Sequence, residues 1–227
     1  MQIIEIYKSL QGESSYAGLP CVFVRTAGCN LRCVWCDSEY TFKGGQRIPV
    51  EDVEREVRRL SPDGGLVEIT GGEPLLQEKE VVALMEGLLA AGYTVLVETS
   101  GERLLDKVPA KVVKIVDVKC PHSGEGGTFR AENLQYVTSH DEVKFVLASR
   151  KDYEFARDFM RENGLSGKVA SVILSPAFRK DATGARDVSH CLLDPRELAE
   201  WMLEDGLRAR LGLQIHKFIW EPSMKGV

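Results

Sequence analysis

Short apolar runs alternate along this chain with amphipathic stretches of helical spacing. The apolar runs, rich in β-branched residues, predict eight strands at residues 3–7, 21–26, 66–70, 94–98, 112–118, 143–147, 169–174 and 213–218. Apolar positions three and four residues apart predict four helices at 50–60, 77–91, 151–163 and 195–207. Asp152 and Asp194 are suited to begin helices, and Gly92 and Gly164 to end them.

The order of these elements predicts the fold class. Strands that alternate with helices form right-handed βαβ crossovers and a parallel sheet, either open or curled into a barrel. A chain of 227 residues is long enough for one well-filled α/β domain or two small ones, and no repeat divides it. We therefore expect a single domain over residues 1–227, with its chemistry at the carboxyl ends of the strands.

Charged residues are numerous but balanced. The formal net charge of -5 at pH 7 gives no basic surface for a nucleic acid or an anionic membrane. No apolar run approaches the roughly 20 residues that cross a bilayer. The N-terminal segment MQIIEIYKSLQGE also lacks the basic and apolar regions of a secretory signal. These features predict a cytoplasmic protein that binds neither nucleic acid nor membrane.

Three of the six cysteines lie close together in the segment GCNLRCVWCDSEY, residues 28–40. Cys29, Cys33 and Cys36 form Cys-x3-Cys-x2-Cys in the loop after the second predicted strand. Structural zinc normally takes four protein ligands, and no second Cys-x2-Cys or His pair is present. Three thiolates suit a 4Fe-4S cluster, in which one iron stays open to a small molecule. A zinc-binding interaction module remains the non-enzymatic alternative.

The other three cysteines are dispersed along the chain. Cys21, Cys120 and Cys191 have no neighbouring metal ligands in the sequence. A free cysteine of this kind usually behaves as a small buried apolar residue. We therefore expect these three thiols to be structural.

The cysteine spacing resembles the signature of the radical S-adenosylmethionine (SAM) enzymes, in which Trp35 takes the aromatic position before the last cysteine. Further segments resemble, in order, those of the 7-carboxy-7-deazaguanine synthase family. These segments are SLQGES (9–14), FVRTAGCNLRCVWCDSEY (23–40), ITGGEPLLQ (69–77), VETSG (97–101), DVKCP (117–121) and LQIHKFIW (213–220). The resemblance therefore extends over almost the whole chain.

The resemblance implies an activity, a set of cofactors and several partners. The family converts 6-carboxy-5,6,7,8-tetrahydropterin to 7-carboxy-7-deazaguanine with loss of ammonia, on the route to the 7-deazapurines of tRNA, of the queuosine and archaeosine type. The implied protein is a homodimer of shortened β/α barrels of the radical SAM type. It uses a 4Fe-4S cluster, SAM and Mg²⁺, and it takes electrons from a donor such as flavodoxin or ferredoxin.

Several residues are expected on the cofactor side of the site. The turn formed by Gly71, Gly72 and Glu73 can bring its carbonyls and the Glu73 carboxylate to the methionine ammonium of SAM, because glycines permit close backbone approach. Glu98 and Ser100 end the next strand and suit the ribose of SAM, although a helix cap is the alternative. By resemblance, further contacts to SAM come from Trp35, Cys36, Asp37, Asp117, Val118 and Lys119.

The substrate side must suit a pterin that carries one carboxylate. Arg25 ends the second predicted strand, and its guanidinium can fork onto a carboxylate, with a structural salt bridge as the alternative. Gln11 and Glu13 follow the first strand and can read the amide-like edge of the pterin. The substrate set is completed by Leu10, Gly12, Thr70 and His216.

Ser38 lies where the resemblance implies a magnesium ligand, most often a threonine. Serine keeps the oxygen but lacks the methyl group that stiffens the side chain. Magnesium bound there would bridge to the substrate carboxylate, which Arg25 also holds. Hydrogen abstraction from the carbon bearing that carboxylate would then lead to ring contraction, loss of ammonia and recovery of SAM.

A different radical SAM enzyme is the second alternative. An activase that generates a glycyl radical on a partner protein shares the cysteine spacing and the small size. Such a protein would not need Gln11, Glu13, Arg25 and Ser38 arranged around a small anion.

Overall fold

A single mixed sheet organises the computed structural model, which describes residues 1–180 and 182–227. The strands within these ranges are β1 (Gln2–Leu10), β2 (Pro20–Thr26), β3 (Gln46–Arg47), β4 (Leu66–Gly71), β5 (Thr94–Thr99), β6 (Val113–Asp117), β7 (Glu142–Leu147), β8 (Ser171–Pro176) and β9 (Arg210–Leu211). The helices are α1 (Val50–Leu60), α2 (Glu78–Ala90), α3 (Arg150–Glu162), α4 (Leu165–Lys168), α5 (Pro195–Glu204) and α6 (His216–Ile219).

The strand order is β3-β1-β2-β4-β5-β6-β7-β8-β9. Strands β2 and β4 to β9 run parallel, whereas β1 pairs antiparallel with β2 and β3. The sheet is curled, as two contacts between distant segments show. Lys144 of β7 lies 2.8 Å from Glu13, just after β1, and Ile215 N donates to Gly12 O at 3.0 Å. The predicted α/β fold with a shortened, TIM-like barrel is confirmed.

The two faces of the sheet have different tasks. Residues that alternate along each strand point to opposite faces. Val67, Ile69 and Val97 belong to the large core that includes the buried side of α2. The opposite face carries a smaller apolar cluster, made of Cys21, Phe23, Leu66, Leu96, Val113 and Ile115. Polar and charged side chains continue this inner face toward the carboxyl ends of the strands.

Seven of the eight predicted strands are confirmed within a few residues, and the last one is wrong. Residues 213–218 lie after the short strand β9, and their second half forms the helical turn α6. Gly212 marks the change: its N–H donates to Leu174 O at 2.8 Å, and an added Cβ would lie only 2.5 Å from Cγ2 of Ile173. The apolar residues beyond this point fit a helical turn as well as a strand, because the run is too short to separate the two periods.

The predicted helix beginnings are half correct. Asp194 caps α5 by accepting from Arg196 N at 2.8 Å. Asp152 does not cap α3, because Ser149 takes that position and accepts from Asp152 N. The Asp152 carboxylate is fully buried. It accepts from the backbone N–H groups of Ala148, just before α3, and His122, in the segment after β6, each at 3.0 Å. In the sequence Asp152 looks like a helix cap, but in the structure it joins α3 to the segment after β6.

The predicted helix ends and the dispersed cysteines have separate outcomes. Gly92 and Gly164 adopt positive φ angles of 85° and 60°, as helix-ending glycines do. Cys21 and Cys120 are buried as expected, but Cys191 is only partly buried. No helix in the described part of the chain combines the length and the apolar character that crossing a bilayer requires.

Candidate active site

A cavity of about 410 Å³ opens where the parallel strands end. Apart from Glu73 and Val118, every residue predicted for the site lines it. The lining includes Leu10, Gln11, Gly12, Glu13, Arg25, Cys29, Cys33, Trp35, Cys36, Asp37, Ser38, Thr70, Gly71, Gly72, Glu98, Ser100, Asp117, Lys119 and His216. Segments far apart in the chain therefore meet at one place, as expected for the carboxyl edge of such a sheet.

The cysteine loop, residues 27–38, is held by backbone contacts. Gly28 N donates to Thr41 O at 2.7 Å, and Glu73 N donates to Gly28 O at 2.8 Å. A Cβ added to Gly72 would overlap the Gly28 carbonyl and lie 2.7 Å from Cβ of Cys29. Only glycine fits at this contact, so the turn after β4 fixes the position of the cysteine loop.

The three clustered thiols are all half-buried and all line the cavity. Burial raises the pKa of the Cys29 thiol and raises the pKa of Cys33 to about 11. Iron binding at these positions therefore has to release protons. In the described part of the chain, no three His, Cys, Asp or Glu side chains lie close enough to hold a single metal ion.

Glu73 is fully buried, and its carboxylate is occupied by other groups of the protein. It accepts from Oγ1 of Thr99 at 2.8 Å, from N and Oγ of Ser100 at 2.8 and 2.7 Å, and from Leu75 N at 3.0 Å. The contact of this carboxylate with the methionine ammonium stays a prediction. Glu73 joins the turn after β4 to the end of β5, and the backbone of the turn remains available to a ligand.

The ends of β5 and β6 supply charged groups to the same side of the cavity. Lys119 Nζ donates to Oδ2 of Asp117 at 2.7 Å. Burial lowers the pKa of Lys119, but the Asp117 carboxylate outweighs it and the pKa lies above its usual value. Asp117 Oδ1 is buried with no partner among the described residues. Val118 points its side chain into the large core, and its N–H donates to Lys144 O at 2.9 Å.

Arg25 faces the cavity but is already paired. Its Nε donates to Oε1 of Glu5 at 2.9 Å, and its Nη2 donates to Tyr7 Oη at 2.9 Å. Tyr40 Oη donates to the same Glu5 oxygen at 2.8 Å. The structural salt bridge considered as an alternative is therefore present. It fixes the plane of the guanidinium, and Nη1 has no hydrogen-bond partner within residues 1–180 and 182–227.

The loop between β1 and β2, residues 11–19, closes on itself through backbone hydrogen bonds, such as Gln11 N to Leu19 O at 2.8 Å, and side chains join it to the neighbouring strands. Oε1 of Gln11 accepts from the backbone of Glu13 and Ser14 at 2.8 Å, and its Nε2 donates to Oε2 of Glu68 at 2.9 Å. Glu13 binds Lys144 at 2.8 Å and Gln214 at 2.9 Å. Burial raises the pKa of Glu13, but Lys144 outweighs this effect, so the pKa lies well below its usual value.

The C-terminal segment closes the cavity from the other side. A Cβ on Gly12 would overlap Nδ1 of His216, so the β1–β2 loop and α6 are in direct contact. Burial lowers the pKa of His216 and favours the neutral imidazole. Lys217 Nζ donates to Oδ2 of Asp37 at 2.7 Å. Ser38 lies beside Cys36, with its Oγ 3.7 Å from the sulfur.

Sequence reasoning missed three charged residues on the inner wall: Glu68 on β4, Lys144 on β7 and Lys217 on α6. Each is at most 5% exposed. Burial, followed by repulsion from Glu98, raises the pKa of Glu68 to about 8. A single charged residue inside an otherwise apolar predicted strand was the available signal, since a buried charge needs a partner or a function.

The curled sheet and the three-cysteine loop define this chain as a radical SAM enzyme, and comparison with known proteins agrees. The family model described as "Radical SAM superfamily" matches residues 23–124. A solved structure of QueE from Escherichia coli superposes with a TM-score of 0.72 at 22% identity, covering 93% of this chain and 92% of that one. At that identity the superposition shows the fold alone. As a radical SAM enzyme, the chain uses a 4Fe-4S cluster and SAM.

Two curated relatives narrow the assignment. The 7-carboxy-7-deazaguanine synthase of Koribacter versatilis (strain Ellin345) is 68% identical over 227 residues, which is 100% of both chains. That of Chlorobaculum tepidum is 40% identical over 230 residues, covering 100% of this chain and 97% of the relative. The chain belongs to the 7-carboxy-7-deazaguanine synthase family. This membership favours the predicted lyase over the glycyl-radical activase and the zinc-binding module.

Proposed function

We propose that this chain converts 6-carboxy-5,6,7,8-tetrahydropterin to 7-carboxy-7-deazaguanine with release of ammonia, in 7-deazapurine biosynthesis. The observation that carries the proposal is the meeting of the cysteine loop and the β1–β2 loop in one cavity, with Arg25 on its wall. A cofactor held by the first loop would then lie beside a small anion held near the second.

The residues of the cavity fit the cofactors of the family. Cys29, Cys33 and Cys36 would hold three irons of the cluster. Gly72 keeps the backbone of the turn free of side-chain atoms, and Asp117 offers an unpaired acceptor. When bound, the cluster and SAM supply the radical chemistry that removes a hydrogen atom from the substrate. The protein has to orient the two molecules and exclude water.

Arg25 would hold the substrate carboxylate. Glu5 and Tyr7 fix two edges of its guanidinium, so it is preorganised rather than free to rotate, and Nη1 remains for a ligand. We expect Arg25→Ala to raise the KM for the carboxypterin more than it lowers kcat. Glu5 loses a partner in that variant, so a fall in melting temperature has to be measured separately.

Ser38 would hold magnesium, which would supply positive charge near the substrate carboxylate. A hydroxyl oxygen is a suitable ligand for this hard cation, which keeps several waters and one or two protein ligands. Its part in the reaction would be to neutralise charge and fix orientation. The proposal also includes a homodimer, a single domain over residues 1–227, a cytoplasmic location and an electron donor such as flavodoxin or ferredoxin.

The pterin ring would lie between the β1–β2 loop and α6. Because the Gln11 side chain is engaged with Glu68 and with the loop backbone, its main part is to hold these groups in place. Gly12 gives the ring access to His216, whose neutral imidazole both donates and accepts a hydrogen bond. Leu10 and Thr70 line the same part of the cavity.

A turnover assay tests the proposed function. Protein reconstituted anaerobically with iron and sulfide is supplied with SAM, a reductant and 6-carboxytetrahydropterin, with and without Mg²⁺. The expected result is 7-carboxy-7-deazaguanine, with a higher rate when Mg²⁺ is present. Cys33→Ala should abolish SAM cleavage, whereas Cys191→Ala, outside the cysteine loop, should retain iron and activity. Turnover by Cys33→Ala would contradict the mechanism.

A further inference from the structure

Lys144 is a buried cation at the centre of the cavity wall. It lies in the middle of β7, its side chain is 3% exposed, and it lines the cavity. Lysine is costly to bury unless opposite charges surround it. Its position therefore requires an explanation that packing alone does not provide.

Three carboxylates surround the Lys144 ammonium. Its Nζ binds Oε2 of Glu13 at 2.8 Å, donates to Oε1 of Glu98 and lies 3.9 Å from Oδ2 of Asp117. Burial lowers the pKa of Lys144, but these carboxylates outweigh it and hold the pKa well above its usual value. Without this ammonium, the three carboxylates would repel one another in a site of low polarity.

The partners of Lys144 belong to different halves of the cavity. Glu98 ends β5 beside the turn after β4, on the side proposed for SAM. Glu13 lies in the β1–β2 loop, on the side proposed for the pterin, and 131 residues separate it from Lys144. Its second oxygen accepts from Gln214 at 2.9 Å, so both Glu13 oxygens are held. One ammonium therefore connects two segments that approach from opposite sides of the curled sheet.

We propose that Lys144 is a positioning residue that fixes the β1–β2 loop against the SAM ribose site by binding Glu13 and Glu98 together. The inference rests on the proposed function, because it takes Glu98 as a contact to SAM and the β1–β2 loop as a contact to the pterin. It assigns Lys144 no contact to either molecule. Its loss should weaken both ligands at once, although no site residue in contact with them has changed.

Lys114 provides a matched control. It lies on the neighbouring strand β6, its side chain is also 3% exposed, and it pairs with the buried Asp141 at 3.0 Å. It does not line the cavity. Lys114→Met and Lys144→Met therefore make the same chemical change in equally buried lysines, and they differ in whether the ion pair belongs to the site.

Binding measurements without turnover test the inference. Isothermal titration calorimetry on the anaerobic, cluster-loaded protein without reductant gives Kd values for SAM and for 6-carboxypterin, the oxidised analogue of the substrate. Lys144→Met should weaken both by at least about tenfold, since it leaves buried carboxylates unpaired. Lys114→Met should leave both Kd values within about twofold of wild type, even where its melting temperature falls. The weaker binding of 6-carboxypterin should persist in cluster-free protein.

A second variant keeps the test decisive if Lys144→Met does not fold. Glu98→Gln retains the shape of the side chain and the lysine, but removes one of the charges that hold the ammonium. It should change the Kd for 6-carboxypterin at least about threefold, because Lys144 then shifts toward Glu13. Lys144→Arg, which keeps the charge, should bind both ligands more tightly than Lys144→Met.

Three results would overturn the inference. They are Lys144→Met binding both ligands as wild type does, Lys114→Met losing as much affinity, or Glu98→Gln altering SAM binding while leaving 6-carboxypterin unaffected. A wild-type protein that binds SAM but not 6-carboxypterin would instead contradict the proposed function. The two failures are therefore distinguishable in one set of titrations.

Discussion

The cavity has a cofactor half, around the cysteine loop, and a substrate half, around the β1–β2 loop. The two halves are built in different ways. The cysteine loop is held by backbone hydrogen bonds, from Gly28 to Thr41 and from Glu73 to Gly28. The β1–β2 loop also has backbone hydrogen bonds within itself and to Ile215, but its contacts to β4 and β7 are made by the side chains of Gln11 and Glu13. Backbone contacts tolerate almost no displacement, whereas side chains can move to a new rotamer. We therefore expect the cofactor half to lose function when a small side chain is added, and the substrate half to adapt by moving side chains.

The largest effect is expected at Gly72. Its α-carbon faces the Gly28 carbonyl and Cys29, so Gly72→Ala must displace the cysteine loop. A shift of about 1 Å in a reacting group can cost about 100-fold in rate, and we expect a loss of that size in SAM cleavage together with a lower iron content. Gly167→Ala is the control, because the added Cβ would meet no described atom within 4 Å apart from its chain neighbours and the backbone of its own helix. Full iron content in Gly72→Ala would contradict the claim that the cofactor half is rigid.

A smaller effect is expected at Gly12, on the adjustable side. Gly12→Ala meets the imidazole of His216 rather than backbone, and that ring can rotate away. We expect the KM for the carboxypterin to rise about tenfold, corresponding to ~1.4 kcal/mol, while iron content and the Kd for SAM stay unchanged. Steady-state kinetics and titration with SAM measure the two separately. A parallel loss of SAM affinity would show that the contact between Gly12 and His216 also affects the cofactor half.

The pH dependence of stability tests the raised pKa of Glu68, which lines the substrate half of the cavity. Burial, and then Glu98, raises the pKa of Glu68 to about 8 from a reference of 4.5. Between these values the folded protein binds more protons than the unfolded chain, so this group lowers stability as the pH rises from about 5 to about 8. Glu68→Gln removes that loss. Its melting temperature should exceed that of wild type at about pH 8, and the difference should vanish near pH 5.

The matched control for Glu68→Gln is Glu86→Gln, on the exposed side of α2. Differential scanning fluorimetry over the same pH range should show no pH-dependent difference between this control and wild type. A constant difference for Glu68→Gln at all pH values would contradict the raised pKa and leave only a packing effect.

The smallest effect is expected at Ser38, where the halves meet. Ser38→Thr keeps the oxygen and adds a methyl group that restricts rotation of the side chain. We expect the Mg²⁺ concentration for half-maximal turnover to fall about threefold, from side-chain entropy of ~0.6 kcal/mol. The exposed Ser166→Thr serves as control. An unchanged Mg²⁺ response would argue against Ser38 as a ligand.

The same difference explains what could be predicted from the sequence. The spacing of Cys29, Cys33 and Cys36 and the following glycine turn are local patterns, and the structure brings them together at the ends of β2 and β4. The longer parallel strands could also be predicted, because each is a short, largely apolar run bounded by turns. The residues of the cofactor half could therefore be predicted from local sequence patterns.

The substrate half depends on contacts that no local pattern contains. Glu13, one of the partners of Lys144, lies 131 residues away, and the curl of the sheet brings the two together. Gln11 lines the cavity, but its hydrogen bond to Glu68 depends on a strand 57 residues later. The helical turn α6 was mistaken for a strand because six residues do not distinguish the two periods.

The central claim is that the cavity holds the pterin carbon that bears the carboxylate beside the cofactor. Turnover of 6-carboxytetrahydropterin labelled with deuterium at that carbon tests this most directly, with mass spectrometry of the recovered SAM. The account predicts 7-carboxy-7-deazaguanine together with deuterium in the recovered SAM. Product without deuterium in SAM, or SAM cleavage that is indifferent to the pterin, would contradict it.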